Sequence, residues 1–135
     1  YRDVEGNQFK LMKRIIGLPG DTIEYKDKTL WINGEKSEIL AVPGLDESEI
    51  SKTMINLPGA KPHLISLNEN IQRLDNGKWD VPANEYFVMG DNRDQSLDSR
   101  YTGTIPFELI DGLVSNRVLS WANFTGLPSI NIKTL

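Results

Sequence analysis

YFVMGDNRDQSLDSR, residues 86–100, passes from four apolar residues straight into eleven that hold three carboxylates, two guanidiniums and two serine hydroxyls. The apolar part reads as a buried strand, because a short run of large hydrophobic side chains ending at a glycine suits burial. The polar part has two readings. Asp91, Asn92, Asp94, Ser96 and Asp98 can each bond neighbouring backbone groups, which makes a stiff surface turn. A charged loop held at the end of a rigid strand is also a common position for a site, and the density of charge favours that reading.

The chain on either side is cut into similarly short pieces. Residues 9–16, between Gly6-Asn7 and Gly17-Leu18-Pro19-Gly20, are expected to form a largely buried strand. Leu18-Pro19-Gly20-Asp21 fits a type II turn, with proline second and glycine third. Residues 22–25 and 29–32 read as short strands, and Asn33-Gly34 is a strong hairpin signal with residues 35–40 as the return strand. Residues 41–62 carry Pro43-Gly44, Pro58-Gly59 and Pro62 and read as an exposed insertion. Within it, residues 46–55 read equally as a short helix capped by Asp46 or as an irregular loop. Residues 63–67 and 71–74 read as strand pieces, and Asn76-Gly77 turns the chain into 78–81. Residues 106–110 suggest one helical turn started by Pro106, and residues 113–121 alternate like a last strand. The expected fold class is a mainly β domain with many short strands and very little helix.

Composition excludes several functions. A length of 135 residues suits one domain. The 15 basic and 19 acidic residues give a net charge of −4, which repels phosphate backbones and argues against nucleic acid as a partner. Cysteine is absent, so disulfides, thiolate catalysis and cysteine-ligated metals are excluded. The single histidine, His63, cannot build a zinc site alone and reads as a surface residue. Trp79 and Trp121 read as core, and Trp31 equally as core or as a membrane-contacting aromatic. No apolar run approaches the ~18 residues of a membrane span. The opening Tyr1-Arg2-Asp3-Val4 reads as mid-sequence, so a fragment of a longer chain is expected.

Lys13-Arg14 lies between Leu11-Met12 and Ile15-Ile16, two cations embedded in a segment that is otherwise apolar. Adjacent strand residues point to opposite faces, so one can enter a site while the other braces the structure behind it. For Lys13 the plain alternative is a snorkelling surface lysine. A lysine acts as a general base only when neutral, and nearby free carboxylates stabilise its ammonium instead. Asp91, Asp94 and Asp98 must therefore be held by other partners. Arg14, Arg93 and Arg100 match them in number, and Ser96 is the natural hydrogen-bond partner to orient the amine.

KRIIGLPGD at 13–21, then Asn33-Gly34, then GDNRDQSLDSR at 90–100 and Gly112-Leu113-Val114, resembles in order the conserved boxes of the bacterial type I signal peptidases, or leader peptidases. The match spans nearly the whole chain, and its longest pattern is highly specific. The resemblance implies the complex β fold of signal peptidases and LexA-like repressors, and a serine endopeptidase whose general base is lysine. It places the base at Lys13, gives Ser96 the role of orienting it, and makes Asp98 and Arg100 one bracing pair and Arg14 and Asp91 another. Asp94 lends further support, while Gly90, Asn92 and Arg93 shape the loop. Residues 35–85 are similar to the extra β subdomain of Gram-negative members, which implies the inner membrane, with the catalytic domain on its periplasmic side. The implied partners are the signal-peptide region of secretory preproteins and a phospholipid surface, for a monomer without cofactor or metal. Substrate would add as a strand beside residues 9–16.

Members of that family carry the nucleophilic serine in a Ser-Met-x-Pro type segment well upstream of the lysine. The twelve residues before Lys13, YRDVEGNQFKLM, contain no serine or threonine. The expectation is that residues 1–135 alone do not cleave signal peptides, although the parent protein does, because the nucleophile and oxyanion-hole donors are large terms in the rate. Ser96 or Ser99 as nucleophile suits the loop less well than bracing. A noncatalytic periplasmic binding or assembly module of the same fold is the alternative reading. A self-cleaving repressor is a third, and the negative net charge argues against it.

Overall fold

The computed structural model describes residues 10–40, 52–68, 70–71 and 75–114, and in them the chain forms three small antiparallel sheets around a shared core. The first sheet has β9 (Glu85–Met89) at its centre, with β1 (Arg14–Gly17) and β10 (Ile105–Pro106) on its two sides. The second runs β4 (Glu35–Lys36), β3 (Thr29–Ile32), β2 (Thr22–Lys26), β8 (Gly77–Asp80). The third is β5 (Glu38–Leu40), β6 (Lys52–Asn56), β7 (His63–Ser66). Among the described residues, helix is confined to α1 (Ser99–Thr102) and to 3₁₀ turns at Arg93–Gln95 and Phe107–Leu109. Among the described residues no helix is long and apolar enough to cross a membrane.

Period-2 patterning explains the core. Ile23 and Tyr25 alternate inward on β2, and cross-strand pairing sets Tyr25 opposite Leu30. They meet Ile16, Phe87 and Met89 of the first sheet and Ile55 and Ile65 of the third. Gly17 lets two sheets approach closely: a Cβ there would stand 2.8 Å from Ile23 Cδ1 and 3.1 Å from Phe87 Cβ. Trp79 packs on Phe87 with ring centroids 5.0 Å apart, Trp31 is half-buried, and Trp121 lies outside the described residues.

The turns at Pro19-Gly20 and Asn33-Gly34 form as read, while Gly77 of Asn76-Gly77 is already the first residue of β8. Asp21 N–H donates to Leu18 O at 3.0 Å with Gly20 at φ +90°, as a type II turn requires. Asn33 and Gly34 have φ of +53° and +81°, the type I′ pattern.

Three readings need correction. Among the described residues the first strand starts at Arg14, so 10–13 of the 9–16 reading fall outside it, and Leu11 and Met12 are 53% and 79% exposed. Arg14 pairs with Met89, the last residue of β9, so the ladder ends there. Residues 35–40 divide at Ser37, whose N–H bonds Leu30 O at 2.8 Å, and Glu38–Leu40 then joins β6 in another sheet. The described end of the 46–55 segment is strand, not helix, because Lys52–Asn56 is paired on both sides, and such pairing overrides local helix signals. Residues 41–51, 72–74 and 115–121, with the rest of those readings, lie outside the described residues.

Phe87 is 0% exposed at the junction of the first two sheets. Phe87→Ala is expected to lower unfolding free energy in urea by about 3–5 kcal/mol. A loss below about 1 kcal/mol, the scale of an ordinary substitution, would contradict this placement.

Candidate active site

β9 delivers the chain to Gly90, and the polar loop then folds back so that Ser96 faces β1. Lys13, immediately before β1, donates from Nζ to Ser96 Oγ at 2.6 Å, across 83 residues of sequence. Gly90 is what permits the approach. A Cβ on it would stand 2.2 Å from Ser96 Oγ and 3.5 Å from Lys13 Nζ, so any side chain there displaces the serine. Ser96 is 5% exposed, and among the described residues no carboxylate lies within ion-pair distance of Lys13.

The loop's carboxylates are held elsewhere. Arg14 grips Asp91 with two parallel bonds, Nε to Oδ1 at 2.7 Å and Nη2 to Oδ2 at 2.8 Å. That bond raises the arginine's pKa. Burial alone would raise the Asp91 carboxyl, but the Arg14 bond and the charges of Arg14, His63 and Arg93 together hold it below the usual range. Asp98 accepts Arg100 Nε and Nη2, both at 2.9 Å, the Gly90 N–H at 3.0 Å, and the Arg100 N–H as the cap of α1. Burial alone would raise the Asp98 pKa, but Arg100, the Gly90 amide and the Ser96 hydroxyl together lower it. Ser99 is fully buried and its Oγ accepts Val88 N–H at 2.9 Å, tying the loop's exit to the strand that began it. Asn92 precedes the 3₁₀ turn and bonds Gln95 Oε1 at 3.1 Å.

The pairing departs from the expected arginine-for-aspartate count. Asp94 is met at 3.1 Å by Lys28, a residue outside that count. Arg93 is 1% exposed, its Nε and Nη2 have no hydrogen-bond partner among the described residues, and burial pulls the guanidinium down to about 10. Its backbone carbonyl accepts Arg100 Nη2 at 2.5 Å. A buried carboxylate also joins from elsewhere: Asp75 Oδ2 is 2.6 Å from Arg100 Nη1. Asp75 stood beside an Asn-Gly turn in sequence, and nothing local marked it as an arginine partner.

His63 is not a surface residue, since its side chain is 11% exposed and its Nε2 stands 4.0 Å from Asp91 Oδ1 without a hydrogen-bond partner among the described residues. Its strand is joined to the loop by the Ser66 N–H, which donates to Asp91 O at 2.8 Å. Burial, then the charge of Arg14, pushes the imidazole pKa down.

Comparison with known proteins gives one consistent likeness. The family described as "Signal peptidase, peptidase S26" matches residues 2–121. A signal peptidase I of Pseudomonas fluorescens is 40% identical over 126 residues, 82% of this chain and 43% of the relative. A signal peptidase I of Rickettsia typhi (strain ATCC VR-144 / Wilmington) is 30% identical over 149 residues, 98% of this chain and 56% of the relative. A solved signal peptidase I from Enterococcus faecalis V583 is 35% identical, covering 76% of this chain and 80% of that one with a TM-score of 0.44. The chain thus spans about half the length of the curated relatives it matches, or somewhat less.

Two outcomes follow from this geometry. Gly90→Ala is expected to displace Ser96 and lower stability by about 1–3 kcal/mol in denaturant, as overpacking does, and wild-type stability would contradict the close approach. For His63 the folded chain favours the neutral ring, so its contribution is complete above about pH 6.5 and is lost as pH falls through the depressed folded value. His63→Gln should flatten the stability curve as pH falls below about 7, and an unchanged slope would rule out the histidine as its source.

Proposed function

The chain belongs to the signal peptidase family, peptidase S26, and from that premise we propose that it supplies the lysine half of a serine–lysine endopeptidase that removes signal peptides from secreted preproteins. The observation that carries this reading is the 2.6 Å contact from Lys13 Nζ to Ser96 Oγ inside a loop whose carboxylates have other cations. A neutral amine has two N–H bonds and one lone pair. Giving one N–H to Ser96 fixes the amine's orientation and leaves the lone pair for a proton from the attacking serine.

In that chemistry the serine oxygen bonds to the scissile carbonyl carbon as its proton passes to Lys13 Nζ. The amine returns the proton to the departing nitrogen, and then activates the water that hydrolyses the acyl-enzyme. The serine is assigned, on the resemblance, to sequence ahead of Lys13 in the full-length protein. Ser96 and Ser99 suit bracing better, since one is committed to Lys13 and the other, fully buried, to the backbone of β9. Arg14–Asp91 and Asp98–Arg100 are the two braces, Asp94 and Arg93 steady the 3₁₀ turn, and Asn92 shapes its start.

Substrate fits as an extended segment beside β1, which lies at the edge of its sheet next to the lysine. We assign residues 35–85 to an inserted β subdomain, of which β5, β6 and β7 form a separate sheet. The protein as a whole is assigned to the inner membrane, acting on its periplasmic side as a monomer.

Cleavage of a preprotein by the full-length protein tests the reading. Lys13→Ala should lower kcat by about 10²–10⁴-fold, as loss of a general base does. Ser96→Ala, which only mispositions the amine, should cost up to about a hundredfold. Wild-type rates in folded Lys13→Ala, or no cleavage by the folded wild type, would overturn the assignment.

A further inference from the structure

Asp27 and Lys28 form the two-residue turn between β2 and β3, and both have positive φ, +47° and +60°. Turns of this type favour asparagine, aspartate and glycine, and a lysine in the left-handed region is strained where glycine would not be. Strained residues persist when the surrounding structure holds them for another reason. Here that reason is a contact far along the chain. Lys28 Nζ donates to Asn68 O at 2.5 Å and stands 3.1 Å from Asp94 Oδ1. Asp94 Oδ2 in turn accepts the backbone N–H of the same Asn68 at 2.6 Å. Lys28, Asn68 and Asp94 therefore form a three-cornered clamp, with the Asp94 side chain 3% exposed and that of Lys28 23%.

Asp94 is the middle residue of the 3₁₀ turn Arg93–Gln95, and the next residue after that turn is Ser96. We propose that Lys28 is a positioning residue for the Lys13–Ser96 pair, holding Asp94 and so fixing the turn that presents the serine hydroxyl to the lysine amine. The inference rests on the signal-peptidase reading above. Lys28 touches neither Lys13 nor Ser96 in any hydrogen bond of the described residues, so its effect passes through Asp94. It also occupies one of the loop's three carboxylates, which otherwise favour the charged form of an amine at the site.

The test measures preprotein cleavage by full-length variants, with melting temperature recorded for each. Lys28→Met keeps the length of the side chain without its charge, and should lower kcat about ten- to a hundredfold while KM changes little. Lys28→Arg keeps the charge and should restore most of that loss. Lys28→Gly suits the turn backbone and so guards against simple misfolding, yet it should be as slow as Lys28→Met. Wild-type kcat in folded Lys28→Met and Lys28→Gly overturns the positioning role, as does a folded Lys28→Arg no faster than Lys28→Met. Lys13→Ala is run alongside. If it cleaves at the wild-type rate the signal-peptidase mechanism fails and the positioning role with it, whereas an inactive Lys13→Ala beside fully active Lys28 variants sinks this inference alone.

Discussion

An amine set among aspartates is drawn into an ion pair, and everything at this site depends on preventing one. At about 4 Å and an effective dielectric near 20, a single such attraction is worth about 4 kcal/mol. The loop removes the attraction by providing other cations. Asp91 is taken by Arg14, Asp98 by Arg100 and Asp94 by Lys28, each within about 3 Å. Lys13 is left with a neutral hydroxyl as its partner. Neutralising the carboxylates and fixing the loop are one operation, because the same bonds that cancel charge also set the backbone path from Gly90 to α1.

These pairs organise more than they stabilise. Breaking a buried ion pair leaves a stranded charge, although an apolar replacement of the whole pair is often no less stable. What the pairs supply is convergence. Lys13 and Arg14 come from the start of the first sheet, Lys28 from a hairpin tip of the second, and Asp75 from just before β8. Asn68 and the Ser66 amide come from the end of the third sheet. Three sheets that share one apolar core are thereby held to a common polar loop, whose Arg93 is buried.

Much of this was legible in sequence where the signal is local and chemical. Pro19-Gly20 and Asn33-Gly34 dictate their turns through φ, and the alternation in Thr22–Lys26 dictates which side chains enter the core. The need to orient an amine points to the Lys13–Ser96 contact, and the family resemblance, rather than the count of arginines against aspartates, names the Arg14–Asp91 and Asp98–Arg100 pairs. What stayed hidden is decided across distance. Nothing near Lys28 announces Asp94, and Asp75 is matched to Arg100 only once β8 is docked. His63 looked like a surface residue beside a proline, and only the pairing of its strand with the loop buries it. Ladder ends were misjudged for the same reason: Leu11 and Met12 are as apolar as Ile15 and Ile16, but β9 stops opposite Arg14.

A crystal structure of the full-length protein, grown at a pH where it cleaves substrate, tests the central claim most directly. The account predicts Lys13 Nζ at about 2.6 Å from Ser96 Oγ, with Asp91, Asp94 and Asp98 on Arg14, Lys28 and Arg100. A Lys13 amine paired instead with any of those three carboxylates would contradict it.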